Sequence, residues 1–165
     1  MLTQERIHLI TTYRVGCVAT VRPDGSPAVS PKATFVVLDD RTIAFANIRS
    51  PGTVENLRRD PSMEVNFVDV FARKACRVRG HARYVLRNDA DVDLQTRFKN
   101  EWADLYPLIQ GIVVVAVTHA ETLSSPSYDV GAAASQLTEH WLHHYAAALG
   151  FSVRRTLGRT SRSSD

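Results

Sequence analysis

Alternating apolar and polar positions recur through the first two thirds of the chain and predict a succession of β-strands. The predicted strands are Val15 to Val21, Ala28 to Leu38, Thr42 to Asn47, Met63 to Val70, Lys74 to Leu86 and Ile112 to Thr118. Most connections between them are short turns, which favour antiparallel pairing. The pattern therefore predicts a mainly β domain with a six-stranded antiparallel sheet, and so many strands in so short a chain favour a barrel.

Two residues inside these strands predict local irregularities. Pro31 cannot donate a ladder hydrogen bond, so its strand needs an edge position, a bulge or a bend at that point. Gly80 lies in the middle of a long strand and indicates a bulge or a close approach of another backbone. By contrast, the run from Ile112 to Val117 is apolar on both faces, which predicts a central and buried strand.

Helical spacing predicts peripheral helices around this sheet. The first is a short helix that Thr3 caps, and the second runs from Pro51 to just before Pro61. A third spans Asp89 to Trp102, with Asp89 as its cap and with Val92 and Phe98 facing inward beside Trp102. A last helix covers Ala132 to Leu149. We expect one domain over residues 1–150, followed by a basic and disordered tail over residues 151–165.

Charge and composition narrow the classes of protein. The chain has 20 Lys and Arg against 17 Asp and Glu, a net charge of +3 that is too mild to indicate a nucleic-acid partner. Cys17 and Cys76 lie in apolar strand patterns and are predicted to be buried thiols in a reducing compartment. The sequence shows no signal peptide and no apolar run of membrane-spanning length, so we expect a soluble cytoplasmic protein without a membrane partner.

The segment from Phe45 to Pro61 carries the clearest chemical signal. Ser50 occupies the N-cap position of the second helix, Pro51 follows as its first residue, and Arg49 and Thr53 flank them. Free backbone N–H groups and the helix dipole make this point suitable for an anion such as a phosphate. If strand pairing brought the lone Lys32 beside Arg49, the two would form a phosphate cradle. The alternative is ordinary helix capping with a solvated arginine.

Several short motifs follow one another in an order that is more specific than any one of them. The motifs are Ala19-Thr20-Val21, Asp24-Gly25-Ser26-Pro27, Ser30-Pro31-Lys32, Phe45-Ala46-Asn47, Ser50-Pro51-Gly52-Thr53, Asn56-Leu57-Arg58, Pro61 and Val78-Arg79-Gly80-His81-Ala82. Together they resemble the pyridoxamine 5'-phosphate oxidase-like family of FMN-binding split β-barrels. The resemblance extends from about Ile7 to Tyr128.

The resemblance implies a homodimer that holds FMN in a groove between two protomers. It implies phosphate contacts from the second strand and from the turn after the third, which are Ser30, Lys32, Arg49, Ser50 and Thr53 in this chain. Asn47 and the backbone of Ala46 would border the isoalloxazine ring, and Asn56 would brace the turn. Arg77 or Arg79 could reach the flavin across the dimer and stabilise its reduced form; the alternative is a solvated face of the barrel.

Departures from the family pattern refine the expected function. Many members carry a lysine where this chain has Thr53, so one cationic phosphate contact is missing. Relatives that use the deazaflavin F420 also tend to have a lysine at this position, so its absence favours FMN. The chain also lacks the Arg- and His-bearing C-terminal segment that grips pyridoxal phosphate, so vitamin B6 oxidation is not expected. His140, His143 and His144 are expected to form an exposed polar helix face, not a metal site.

We therefore expect an FMN-dependent oxidoreductase that acts on a small organic substrate, with that substrate or a nicotinamide nucleotide as the electron donor. No general acid or base is predicted, because the flavin carries the chemistry in such enzymes. The alternatives are a non-catalytic flavin-binding protein for storage, sensing or stress response, and a split-barrel protein that binds F420 or haem.

Overall fold

The computed structural model describes residues 1–153, and the expectation of a disordered tail falls largely outside the described residues. The described strands are β1 Gly16–Val21, β2 Pro27–Lys32, β3 Phe35–Asp39, β4 Thr42–Asn47, β5 Ser62–Asp69, β6 Lys74–Leu86 and β7 Gly111–Ser124. The described α-helices are α1 Gln4–Tyr13, α2 Pro51–Arg59, α3 Val92–Glu101 and α4 Ala134–Ala148. Short 3-10 turns cover Arg87–Asp89, Tyr106–Leu108 and Pro126–Tyr128.

All seven strands belong to one antiparallel sheet with the order β2-β1-β5-β6-β7-β4-β3. The two edge strands, β2 and β3, are consecutive in the chain and only residues 33–34 separate them. Three Cα–Cα steps span at most about 11 Å, so the opposite edges of the sheet must lie close together. The sheet therefore curls into a barrel that stays open between β2 and β3, which confirms the expected split-barrel architecture.

The predicted strand from Ala28 to Leu38 is two strands, and the count rises from six to seven. The break lies at residues 33–34, where the chain leaves β2 and crosses to the other edge of the sheet. Here the Thr34 hydroxyl accepts a hydrogen bond from the Ala46 N–H at 3.1 Å and lies 3.3 Å from the Ala46 carbonyl oxygen. A side chain thus takes the place of a ladder bond. Pro31 does lie on an edge strand, where it needs no second partner.

The long hairpin of β6 and β7 forms the middle of the sheet. The last strand continues to Ser124, well beyond the predicted Thr118, because it pairs with the whole length of β6. The register shifts between Arg79 and Gly80, so the predicted bulge is confirmed. A Cβ atom at Gly80 would lie 2.3 Å from the Ala116 carbonyl oxygen, and only glycine allows this backbone approach.

The interior of the barrel holds the main apolar core. The Phe35 ring packs edge-on against Phe67, with ring centroids 4.6 Å apart, and Leu9 and Ile10 of α1 close the core from one side. A second cluster lies outside the barrel, where Phe98 of α3 packs with its neighbours on the outer face of β3, β4 and β7. The core therefore positions α1 and α3 on different surfaces of the same sheet.

Several local expectations need correction. Asp91, not Asp89, caps α3 by accepting the Leu94 N–H at 2.7 Å, because the chain first makes a 3-10 turn. This later start turns Val92 outward, and it is 77% exposed, whereas Phe98 is buried as expected. Cys76 is buried, but Cys17 is exposed, because its side of β1 faces away from the barrel interior. Thr3 caps α1 as predicted.

The last helix contacts the body of the protein through aromatic side chains. The Arg73 guanidinium stacks over the Trp141 ring at 4.3 Å, and Tyr145 meets the Phe71 ring edge-on at 5.9 Å. α4 therefore rests on the turn between β5 and β6. None of the helices in residues 1–153 combines the length and the hydropathy that crossing a membrane requires.

Candidate functional site

The turn between β4 and α2 is held by Asn47. Pro51 begins the helix and Ser50 occupies its N-cap position, as predicted, but the Ser50 side chain makes no capping hydrogen bond. Instead its backbone N–H donates to Asn47 Oδ1 at 3.0 Å, and Asn47 Nδ2 lies 3.4 Å from the Tyr84 hydroxyl. Asn47 therefore holds this turn from its own side chain.

Asn56 connects α2 to the sheet. Its Nδ2 donates to Thr20 Oγ1 on β1 at 2.9 Å, and both residues are buried. A buried hydrogen bond between two neutral groups stabilises one fixed arrangement, because separating them leaves polar atoms without partners. This bond holds α2 against the β1–β2 hairpin.

A cleft of about 440 Å³ opens between this hairpin and the first turn of α2. Its lining combines hydroxyl, amide and charged side chains with the start of the helix. The lining residues are Thr20, Arg22, Pro23, Ala28, Ser30, Gly52, Thr53, Glu55 and Asn56. Backbone N–H groups in the first turn of a helix have no partner within the helix, and the dipole there favours an anion. Three predicted site residues, Ser30, Thr53 and Asn56, thus share one cleft.

Lys32 lies directly behind the Ser30 side of this cleft. It is only 8% exposed, and its ammonium group donates to the Ser30 hydroxyl and lies 3.4 Å from the Pro31 carbonyl oxygen. Within residues 1–153 its ammonium group has no salt bridge to a carboxylate. Burial lowers the pKa of Lys32, since it penalises the charged form. A buried cation without a counter-ion is electrostatically complementary to an anionic ligand.

Arg49 does not line this cleft, and its expected contact with a phosphate stays a prediction. β2 pairs with β1, whereas β4 pairs with β3 and β7, so the strand pairing that would set Lys32 beside Arg49 does not occur. Arg49 is exposed at the turn, and it is not among the residues that line the cleft. The barrel closure brings Lys32 close to β4 by another route, through Thr34 and the Ala46 backbone.

Six of the nine lining residues are not among the predicted site residues, and Thr20 and Arg22 are two of them. Thr20 lies opposite Ala28 in the hairpin register and provides the hydroxyl that Asn56 binds. Arg22 follows the end of β1, and its guanidinium contacts the Ser26 hydroxyl at 3.4 Å and the Pro27 carbonyl. The Asp-Gly turn signal predicted the hairpin and hence this register, but only the docking of α2 shows which residues of the hairpin face the cleft.

The sequence of the folded core identifies the protein family. Residues 2–125, most of the 165-residue chain, match the sequence profile of the pyridoxamine 5'-phosphate oxidase family. The chain belongs to this family. The predicted membership is thereby confirmed, together with the fold class. No curated protein matches the chain.

Solved structures with the same fold carry different names. HupZ of Group A Streptococcus is 24% identical with a TM-score of 0.65, covering 76% of this chain and 96% of that chain. An FMN-binding protein of Syntrophomonas wolfei is 14% identical with a TM-score of 0.62, covering 75% and 86%. An F420 reductase is 21% identical with a TM-score of 0.55, covering 68% and 93%. At these identities the likeness shows the shared fold.

Arg77 and Arg79 lie on the outer face of the sheet, and both form ion pairs. Arg77 lies 3.6 Å from Glu64 and 3.4 Å from Glu121, and Arg79 lies 3.2 Å from Glu64. All four side chains are partly exposed, so these pairs contribute little to stability. The role expected of either arginine across a dimer stays a prediction.

A second cleft, of about 470 Å³, lies on the other side of α2. Arg58 stacks over the Tyr84 ring at 5.1 Å there, and Asn47, expected beside the flavin ring, is part of its lining. Glu55 lines both clefts. α2 therefore separates two polar clefts of similar size.

The histidines of α4 contact aromatic rings. His140 and His144 meet the Trp141 ring edge-on, with ring centroids 5.3 and 5.2 Å apart. No group of three or more His, Cys, Asp or Glu side chains in residues 1–153 has the arrangement of a metal site. His140 and His144 are exposed, and these ring contacts lie within α4 itself.

Proposed function

We propose that this chain binds FMN in the cleft between the β1–β2 hairpin and α2, and that it is an FMN-dependent oxidoreductase acting on a small organic substrate. The observation that carries the proposal is the buried ammonium of Lys32, which has no carboxylate partner within residues 1–153. Its chemistry fits a phosphate ester, whose charge would offset the cost of burying the cation.

The other residues of the cleft suit the same group. The Ser30 and Thr53 hydroxyls can donate hydrogen bonds to phosphate oxygens, and Gly52 lets the chain at the start of α2 come close to a ligand because it has no side chain. A phosphate monoester carries between one and two negative charges at neutral pH, and the helix dipole adds to its attraction. Ser30, Lys32 and Thr53 would thus hold the phosphate.

The chain's own contribution to the reaction is positioning. FMN, when bound, supplies hydride or electron transfer. Asn56 keeps α2 against Thr20, and Asn47 fixes the turn that leads into the helix. Those two bonds hold both walls of the cleft in one geometry, which reduces the ordering cost of binding. No side chain is assigned as a general acid or base.

We further propose that the protein is a homodimer through the outer face of its sheet. The outer face of β1, β2 and β5 is uncovered in the protomer and exposes Val29, which is 65% exposed, with Val68 and Cys17. The ion pairs of Arg77 and Arg79 lie on the same sheet face. An apolar patch with a charged border is typical of a protein interface. Sedimentation of the purified protein tests this assembly.

The cytoplasm is the proposed compartment, and free thiols support it. Cys17 and Cys76 are both unbridged within the described residues. Unpaired cysteines, one of them exposed, suit a reducing environment.

A flavin-binding protein without catalysis is the second candidate, and the cleft itself favours it. Its ionisable lining residues are Arg22 and Glu55, with Lys32 behind, and none is a histidine. Steady-state assays of NADH and NADPH oxidation with added FMN separate the two candidates. Sustained oxidation supports the oxidoreductase, whereas FMN binding without turnover on a broad substrate screen supports the carrier.

The binding claim is tested with FMN and riboflavin, which differ only in the phosphate. Lys32→Ala should weaken FMN binding by roughly ten-fold or more and leave riboflavin binding little changed, as expected for a charge-assisted contact. F420 and haem are titrated alongside. Tight binding of either one, without FMN binding, would replace the proposed cofactor.

A further inference from the structure

The turn between β1 and β2 is fixed by its own hydrogen bonds. The Arg22 N–H donates to the Ser26 carbonyl at 2.8 Å, and the Gly25 N–H donates to the Arg22 carbonyl at 2.9 Å. Asp24 Oδ1 accepts both the Ser26 N–H at 2.9 Å and the Ser26 hydroxyl at 2.7 Å. Gly25 has φ +83°, which favours glycine at this point. The base of the Arg22 side chain is therefore anchored at the edge of the cleft.

The hydrogen-bond partners of the Arg22 guanidinium are neutral. The guanidinium donates to the Ser26 hydroxyl and the Pro27 carbonyl, and within residues 1–153 it makes no salt bridge. The nearby Asp24 carboxylate accepts hydrogen bonds from Ser26, and these bonds, with a smaller contribution from the charge of Arg22, hold the pKa of Asp24 below its usual value. Arg22 is thus a cation in the lining of the cleft that no carboxylate within residues 1–153 holds in a salt bridge.

A simple charge balance shows what this cation does. Glu55 contributes one negative charge to the lining, and the ammonium of Lys32 behind Ser30 contributes one positive charge. Within the lining itself Arg22 offsets Glu55, since +1 − 1 = 0. Asp24 lies close to Arg22 and adds a negative charge outside the lining. Without Arg22, the negative charges of Glu55 and Asp24 would outweigh the positive charge of Lys32, and an anion would be repelled.

We propose that Arg22 is the second phosphate-binding cation of this chain and determines its preference for phosphorylated over unphosphorylated ligands. The inference rests on the proposed FMN site and names the residue that sets its ligand class, a phosphate monoester. Arg22 is exposed at the rim, so it can turn from the Pro27 carbonyl to a phosphate without breaking the turn. Its interaction is screened by salt more than that of the buried Lys32.

Arg22→Gln tests this role by removing the charge and retaining hydrogen-bonding capacity. We expect FMN binding to weaken by roughly five-fold at low salt, which corresponds to a partly exposed ion pair. Riboflavin binding should stay unchanged, and Arg22→Lys should retain most of the FMN affinity. Arg41→Gln is the matched control, because it removes the same charge from an exposed side chain. Arg41 precedes β4, whereas α2 and the cleft follow the other end of that strand.

The outcomes separate this inference from the proposed function. Selective loss of FMN affinity in Arg22→Gln, with a smaller salt dependence than wild type, supports the inference. Equal losses for FMN and riboflavin, or equal losses in Arg22→Gln and Arg41→Gln, overturn it. If Lys32→Ala weakens FMN binding and Arg22→Gln does not, the FMN site stands and the role of Arg22 is wrong. If wild-type protein binds no FMN, both fail. Thermal unfolding of each variant confirms that it is folded.

Discussion

Asn56→Ala tests whether α2 is fixed to the sheet by one buried hydrogen bond. Asn56 Nδ2 donates to Thr20 Oγ1 at 2.9 Å, and both residues are less than one tenth exposed. The substitution removes this bond and leaves the Thr20 hydroxyl without its donor in a buried place. A lost neutral bond costs about 1 kcal/mol, and a stranded buried group brings the total to about 2 kcal/mol.

The consequence can be measured by urea unfolding and by thermal unfolding. For a domain of this size, about 2 kcal/mol corresponds to a fall of roughly 4–8 °C in Tm. FMN affinity should fall as well, because Thr20 and Asn56 both line the cleft and a looser α2 must be ordered on binding.

A double-mutant cycle isolates the pair. Thr20→Val keeps the shape of the side chain and removes the acceptor, so the double variant should lose less free energy of unfolding than the two single losses together. We expect a coupling energy of about 1 kcal/mol. Additive losses, or an Asn56→Ala variant within about 0.5 kcal/mol of wild type, would refute the reasoning.

Three further predictions follow from other parts of the structure. Gly80→Ala should lower the free energy of unfolding by about 1–3 kcal/mol, measured in urea, because its Cβ would lie 2.3 Å from the Ala116 carbonyl oxygen; stability equal to wild type would contradict the bulge geometry. A thiol reagent should modify exposed Cys17 in the native protein and Cys76 only after unfolding, since burial raises the pKa of Cys76 to about 11; two fast thiols in native protein would be inconsistent with this. FMN affinity should fall as the pH rises toward 10.5, because burial lowers the pKa of Lys32 and the ammonium is lost earlier than in a free lysine. Over the same range the free energy of unfolding of the ligand-free protein should rise, since the unfolded chain then holds the proton more tightly, and in Lys32→Arg the alkaline loss of FMN affinity should disappear.

The strand pattern was readable from the sequence because alternation along an antiparallel sheet is a local property. Gly80 and the Asp24-Gly25 turn also act locally, and both features are present in the structure. The division of the segment 28–38 was not readable, because it depends on Thr34 bonding to Ala46 across the barrel opening. The exposure of Cys17 was not predicted for a related reason. The order of the strands determines which face of the sheet stays uncovered, and strand order is not a local property of the sequence.

The candidate site was predictable to the extent that it depends on a helix start. Ser50 and Pro51 indicated the beginning of α2, and Thr53 lies in the cleft beside it. Lys32 was recognised as a lone lysine in a strand. Its hydrogen bond to Ser30, two residues earlier on the same strand, became visible only in the structure. Arg22 could not be found from the sequence, because its place in the cleft follows from the docking of α2 on the hairpin.

The most direct test of the proposed site is a crystal structure of the protein grown with FMN. We predict electron density for the phosphate within hydrogen-bond distance of Lys32 Nζ, between the Ser30 and Thr53 hydroxyls at the start of α2. A phosphate bound elsewhere, or a cleft that remains without FMN at millimolar ligand, would contradict the proposal.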